Sequence, residues 1–249
     1  MPMRNSQVEW VFSDLVPVPA DFQLAVGESP LVAKTLYQRG LTSPEAALAF
    51  LNPDLYIPNP PSALPNMEKA ANRIIQAVET KERILIWGDF DVDGQTSTTL
   101  LLSSLQKLGA ITTHHIPIRA QESHGVSLSV LTKLIKEYSP QLIITCDTGV
   151  DAHQEVNFAI QNGIDFIITD HHQLPPVLPN ASAIINPNML PTEHALFNLP
   201  GVGVAYKLIE EIYAHYALDP SFLLDLVALG IVADVAEQTG DTRFLLQKG

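Results

Sequence analysis

From Asn66 onward, short strand-like segments alternate regularly with longer amphipathic ones, and this alternation limits the possible folds more than any other feature. Residues 84–87, 113–118, 142–145 and 166–169 read as strands, and 183–185 as a weaker one. Residues 67–80, 96–108, 127–137 and 153–161 read as helices, the last stopped by Gly163, and helices over 203–216 and 220–235 follow. Strands alternating with helices predict an α/β fold, a mainly parallel sheet flanked by helices on both faces. In such sheets ligands gather beyond the carboxyl ends of the strands, so polar residues directly after a strand are the first place to look for chemistry.

Residues 1–65 have a different character. Prolines recur from Pro19 to Pro65 and break this stretch into short pieces. Ser29-Pro30 and Ser43-Pro44 each pair an N-cap residue with a proline at the first helical position, which predicts two short helices ending near Gly40 and Leu51. The following IPNPPSALP reads as a semi-rigid connector. The expected organisation is therefore a helical accessory segment and linker over 1–65 and a catalytic domain over 66–249.

Apolar residues make up 46% and charged residues 16% of the chain, a globular balance that excludes intrinsic disorder. No apolar run approaches the ~18 residues of a membrane span, and MPMRNSQVEW lacks the pattern of a signal peptide, so a cytoplasmic location is expected. Cys146 is the only cysteine, which rules out an intrachain disulfide and a cysteine-built zinc site. The formal charge of −13 argues against a nucleic-acid partner unless the acids are clustered to hold cations, because bound ions invert the local charge logic.

The acids are in fact clustered at strand ends. Gly88-Asp89-Phe90-Asp91-Val92-Asp93-Gly94 follows the first strand and places three carboxylates at alternating positions, with a glycine that permits a sharp turn. An EF-hand loop opens the same way. Here, however, a strand precedes the motif, a helix-forming segment follows it, and Leu100 occupies the twelfth position where that loop needs glutamate. Taken alone, the motif reads equally well as an acidic surface turn. Two further strand ends favour metal: Asp147 follows LIITC, and Asp170-His171-His172 follows FIIT. Carboxylates with imidazoles suit Mn²⁺, and Mg²⁺ where carboxylates dominate. Asp234 lies in an otherwise apolar helical stretch and reads either as a solvated helix end or as a last ligand. GVGVAYK lacks the spacing of a P-loop and suits close helix packing, Cys146 reads as a buried strand residue, and His114 and His115 read as structural.

These motifs resemble the DHH phosphoesterases, and more narrowly the RecJ-type exonucleases. The resemblance rests on GDFDVDGQTST, TCDTGV, ITDHHQLP and GIVADVAEQTGDTR in that order, with LVAKTLYQRGLTSPEAALAFLNPDL before them and LPGVGVAYKL between the last two. The pattern is altered at Trp87, Ile118, His124 and Ile231. The resemblance implies a two-metal nuclease that digests single-stranded DNA, 5′-to-3′, in repair and recombination, with a single-strand-binding protein and a helicase as partners. It further implies that Asp93, Asp147, His171 and Asp234 hold one ion and that Asp91 binds the second, with Asp147 bridging and Asp89 contributing. His172 and Arg119 would face the phosphate, and a DHH-associated domain and an OB-fold would follow Gly249. Two alternatives stay open: a phosphodiesterase of short RNA or dinucleotides, and a non-catalytic scaffold on the same fold.

Overall fold

The computed structural model describes residues 16–27, 29–122 and 124–249; the stretch MPMRNSQVEW lies outside them. Chain packing separates a first unit, ending at Tyr56, from a second, Ile57–Gly249.

In the first unit, α1 (Ala20–Val26), α2 (Pro30–Gln38) and α3 (Pro44–Leu51) bury Phe22, Val26, Ala33, Leu36 and Ala47 against one another. Ser29 Oγ accepts from Val32 N–H at 3.4 Å and Ser43 Oγ from Ala46 N–H at 3.1 Å, so both expected caps are present. The sequence reading omits α1, a helix of seven residues whose N-cap, Pro19, has no side-chain acceptor.

The second unit is built on a five-stranded sheet of order β2-β1-β3-β4-β5: β1 (Arg83–Trp87), β2 (Ile111–His115), β3 (Leu142–Cys146), β4 (Asp165–Thr169) and β5 (Ala183–Ile185). Every pairing is parallel. Both faces are covered. Ile84, Ile86, Leu142, Ile144 and Ile167 pack under α4 (Met67–Glu79), α5 (Val92–Lys107), α8 (Gly201–His215) and α9 (Leu224–Ala233). Leu85, Trp87, Ile143, Phe166 and Ile168 pack under α6 (Leu128–Tyr138) and α7 (His153–Gln161). Burial on both faces is why these strands read as continuous apolar runs. A final helix, α10 (Gly240–Lys248), is missing from the sequence reading; its N-cap, Thr239, makes no side-chain cap.

Three boundaries differ from expectation in ways that affect the site. Helix α5 starts at Val92, not near residue 96, because Asp91 caps it, so Asp93 sits in its first turn. Strand β2 ends at His115, which leaves Arg119 in an exposed turn beyond the strand. The expected connector also packs on the second unit. Leu64 is buried there, the Asn59 backbone and side-chain N–H groups donate to Asp241 at 2.9 and 2.7 Å, and the Asn59 carbonyl accepts from Lys207 Nζ at 2.8 Å.

Because β2 and β3 flank β1 on opposite sides, the chain reverses its winding direction at β1 and opens a crevice beyond the ends of β1 and β3. Register keeps the strand ends level, with Trp87 opposite Thr145 and Cys146 opposite Thr169. The segments after β1, β3 and β4 therefore meet at one edge.

Candidate metal centre

Asp91 Oδ1 accepts from Gly94 N–H at 2.9 Å and so starts α5, which turns Asp93 inward. Asp93 is buried. Its Oδ2 accepts from Gly201 N–H at 2.7 Å and its Oδ1 from Val202 N–H at 2.8 Å, the first amides of α8, where unsatisfied donors and the helix dipole favour an anion. Gly94 is not needed for a left-handed turn. A Cβ there would lie 2.6 Å from the Asp89 backbone, so close approach is what demands glycine.

Asp147, the first residue after β3, takes a left-handed backbone with φ 61 and is buried. His171 Nε2 stands 3.0 Å from its Oδ1 and 3.7 Å from Asp93 Oδ2. The first of these approaches lacks hydrogen-bond geometry, so Asp147 Oδ1 is a buried oxygen with no hydrogen-bond partner. Gly201 makes room for it, since a Cβ at that position would come within 2.6 Å of Asp147 Cβ.

Asp170 plays a different part. Its Oδ1 accepts from the backbone N–H groups of His171 and His172 at 2.7 and 3.0 Å and lies 2.7 Å from His172 Nδ1, while Oδ2 accepts from Val150 N–H at 2.9 Å. Burial pushes its pKa upward, but the His172 hydrogen bond and charge with the backbone donors outweigh burial and hold it below the usual range. Held in this way, His172 is raised to about 9, chiefly by that bond to Asp170. The backbone of the histidine pair is pinned by Asn186 and Asn188, whose side-chain amides donate to the His172 carbonyl at 2.9 Å and the His171 carbonyl at 2.6 Å.

The remaining carboxylates repel one another. Burial and then Asp147 lift Asp93 to about 8; burial and then Asp91 lift Asp147 to about 9. Asp89 and Asp234 are also raised, in both cases mainly by burial. Buried acids with a partnerless oxygen and an imidazole nitrogen among them are the donor set that a divalent cation would satisfy.

Among the described residues, Asp93, His171 and Asp234 bring one ligand atom each within 4.8 Å of one another, and so do Asp147, His171 and His172. His171 joins the two groups. Asp234, the C-cap of α9, is partly buried, so of the two readings of this residue the structure places it within ligand reach. Asp89 and Asp91 belong to neither group, although their charges act on Asp147. Asp89 and His172 line an open cleft of about 480 Å³ with His124, Thr148 and Gln173. His171 and Asp234 line a smaller cleft of about 200 Å³. Arg119 lies outside both lining sets, with its guanidinium over the Phe90 ring.

Sequence reasoning missed Gly230, Asn186 and Asn188, and read Gly201 as a helix-packing glycine without linking it to the site. A Cβ on Gly230 would meet Thr96 Oγ1 at 2.6 Å and Asp93 Oδ1 at 3.0 Å. The signal available was position alone: Asn-Pro-Asn directly after β5, and paired glycines at the start of α8.

Residues 83–231 match the DHH family, N-terminal domain. The single-stranded-DNA-specific exonuclease RecJ of Bacillus subtilis (strain 168) is 40% identical over 224 residues, 89% of this chain and 28% of that protein. A crystal structure of exonuclease RecJ bound to manganese superposes with a TM-score of 0.70 at 32% identity, over 75% of this chain and 47% of that one. RecJ from Thermus thermophilus in complex with Mn²⁺ gives a TM-score of 0.77 at 27% identity, over 92% and 32%. The chain thus spans 28% of the length of the Bacillus relative.

Proposed function

The chain belongs to the DHH family, and from that premise we propose that it is a metal-dependent phosphodiester hydrolase acting as an exonuclease on single-stranded DNA. The observation that carries this reading is the pair of ligand groups that share His171, one with Asp93 and Asp234 and one with Asp147 and His172. Relatives named single-stranded-DNA-specific exonuclease align with most of the chain, and RecJ has been solved with manganese and with magnesium.

Asp93, Asp147, His171 and Asp234 would hold one divalent cation, Mn²⁺ or Mg²⁺, and Asp147, with Asp91 and Asp89 beside it, a second. Bound there, such cations lower the pKa of water and offset charge on the attacking and leaving oxygens of an in-line displacement. The protein's own groups set the geometry. Asp170 holds the His172 ring through Nδ1, and the ring lines the cleft, where Nε2 would donate to a phosphate oxygen. Arg119 offers a planar guanidinium at the same edge, suited to phosphate. Single strands arise where a helicase opens duplex and a single-strand-binding protein coats it, so those are the partners in repair and recombination that this reading entails. A DNA substrate also fits a cytoplasmic location.

The test is degradation of end-labelled single-stranded DNA with Mn²⁺ by the chain and by Asp147→Ala. Cleavage that needs Mn²⁺ and is lost in the variant is expected; undiminished cleavage in Asp147→Ala would remove this centre from the reaction.

A further inference from the structure

Successive residues of an extended strand point to opposite sides. The rings of His171 and His172 instead lie side by side, with centroids 4.8 Å apart and planes inclined by 53°. The chain reaches this arrangement by bending at His172, after β4 has ended at Thr169. The ladder with β5 closes on the Asp170 N–H, which donates to the Ile185 carbonyl at 3.1 Å, so the peptide groups of the pair need other partners.

Side chains supply them. Asp170 Oδ1 accepts both N–H groups, and the turn directly after β5 takes both carbonyls. Asn188 Nδ2 donates to the His171 carbonyl at 2.6 Å and to the His172 carbonyl at 3.1 Å, and Asn186 Nδ2 donates to the His172 carbonyl at 2.9 Å. The turn is itself closed, because Asn186 Oδ1 accepts the Asn188 N–H at 2.8 Å around Pro187. Asn186 is fully buried, whereas Asn188 is half-buried and lines the smaller cleft with His171 and Asp234.

We propose that the Asn186-Pro187-Asn188 turn is the positioning element of the histidine pair: it sets the angle between the two imidazoles, so that His171 stays with the cations while His172 stays with Asp170 and the substrate. This rests on the hydrolase reading above and deepens it by naming what keeps two adjacent histidines in separate roles. His171 belongs to both ligand groups, so a rotation of its backbone disturbs both together. Its Nε2, 3.0 Å from Asp147 Oδ1 and 3.7 Å from Asp93 Oδ2, is the atom that would move. An amide suits the place. Lysine or arginine could donate to the same carbonyls, but its charge would compete with a divalent cation for the carboxylates, and a carboxylate in its stead would repel the carbonyls. Asparagine donates and adds no charge.

The test uses Mn²⁺ with the intact chain, Asn188→Leu and Asn66→Ala. Asn188→Leu keeps the bulk of the side chain and removes its amide. Asn66→Ala removes a 2.8 Å hydrogen bond to the Ile184 carbonyl, and so loosens the same strand without touching the histidine pair. Affinity is read from the electron paramagnetic resonance of free Mn²⁺, and imidazole ligation from ring-nitrogen modulation in the spin-echo spectrum of the bound ion. The intact chain should show that modulation. Asn188→Leu should bind Mn²⁺ roughly 10–100-fold more weakly and lose the modulation, while Asn66→Ala should melt lower in EDTA and keep both. Modulation retained in Asn188→Leu, or lost equally in Asn66→Ala, would overturn the positioning role and leave the turn as packing. If the intact chain shows no nitrogen modulation, the metal reading has failed instead. The turn is then decided by hydrogen exchange of the His171 and His172 amides in EDTA, where exchange no faster in Asn188→Leu than in Asn66→Ala overturns it.

Discussion

Asp147→Asn should stabilise the metal-free chain and remove most of its response to Mn²⁺. In the metal-free fold, burial and then Asp91 raise Asp147 from 3.8 to about 9, so between those values folding takes up a proton. Its contribution to stability is complete below the unfolded value and is lost as pH rises through the folded one. At pH 7 the gap from 3.8 is about three units at ~1.4 kcal/mol each, a penalty on the order of 4 kcal/mol. Asp93, at about 8 through burial and Asp147, shares this penalty with it. An amide carries no such charge. At ~2–4 °C per kcal/mol for a chain of this size, the variant should melt several degrees higher in EDTA near neutral pH and show a flatter pH dependence. Mn²⁺ narrows the gap: at a concentration of about 100 Kd it adds ~2.7 kcal/mol to the intact chain and little to the variant. The assay is thermal unfolding by circular dichroism from about pH 5 to 9, with EDTA or Mn²⁺. A variant that melts lower in EDTA, or gains as much from Mn²⁺ as the intact chain, would refute the reasoning.

Gly230→Ala places a Cβ 2.6 Å from Thr96 Oγ1 and 3.0 Å from Asp93 Oδ1, so a loss of about 1–3 kcal/mol is expected in denaturant melts, together with a weaker Mn²⁺ response. Asp170→Asn leaves an oxygen opposite His172 Nδ1 but removes the charge that holds the ring, and a fall of roughly 10–100-fold in activity is expected with little change in fold by circular dichroism. Lys207 is buried with Nζ 3.5 Å from the equally buried Asp241, so Asp241→Ala alone should cost about 3–5 kcal/mol in urea unfolding, while a paired apolar replacement of both should recover most of it.

The sheet and its helices were legible because β3 and β4 are buried on both faces and leave an unmistakable apolar signature. Boundaries were less so. The start of α5 was hidden because Asp91 and Asp93 look like a loop motif, and only the geometry shows one as the cap and the other in the first helical turn. The docking of the connector was not legible, since composition reports stiffness alone: proline-rich 57–65 is held by Lys207 and Asp241, residues far away in sequence. Convergence of Asp147 with the histidine pair followed from their shared place directly after parallel strands, whereas the match of Gly201 and Gly230 to the carboxylates depended on helix crossings that no local pattern encodes.

Those crossings also rank the ligands. Each Asp93 oxygen already accepts a backbone N–H of α8, which leaves lone pairs for a cation but fixes the group whether or not one is bound. Asp147 Oδ1 has no hydrogen-bond donor, so without a cation its burial is compensated only by taking up a proton and by the nearby His171 ring. Asp93 therefore serves first as the link that seats α8 on the sheet edge, and its loss should be felt in stability with or without metal. Asp147 gives up little of the fold and most of the metal. The two aspartates look alike in the sequence, and their surroundings give them separable roles: Asp93→Asn should destabilise the chain in EDTA, where Asp147→Asn stabilises it.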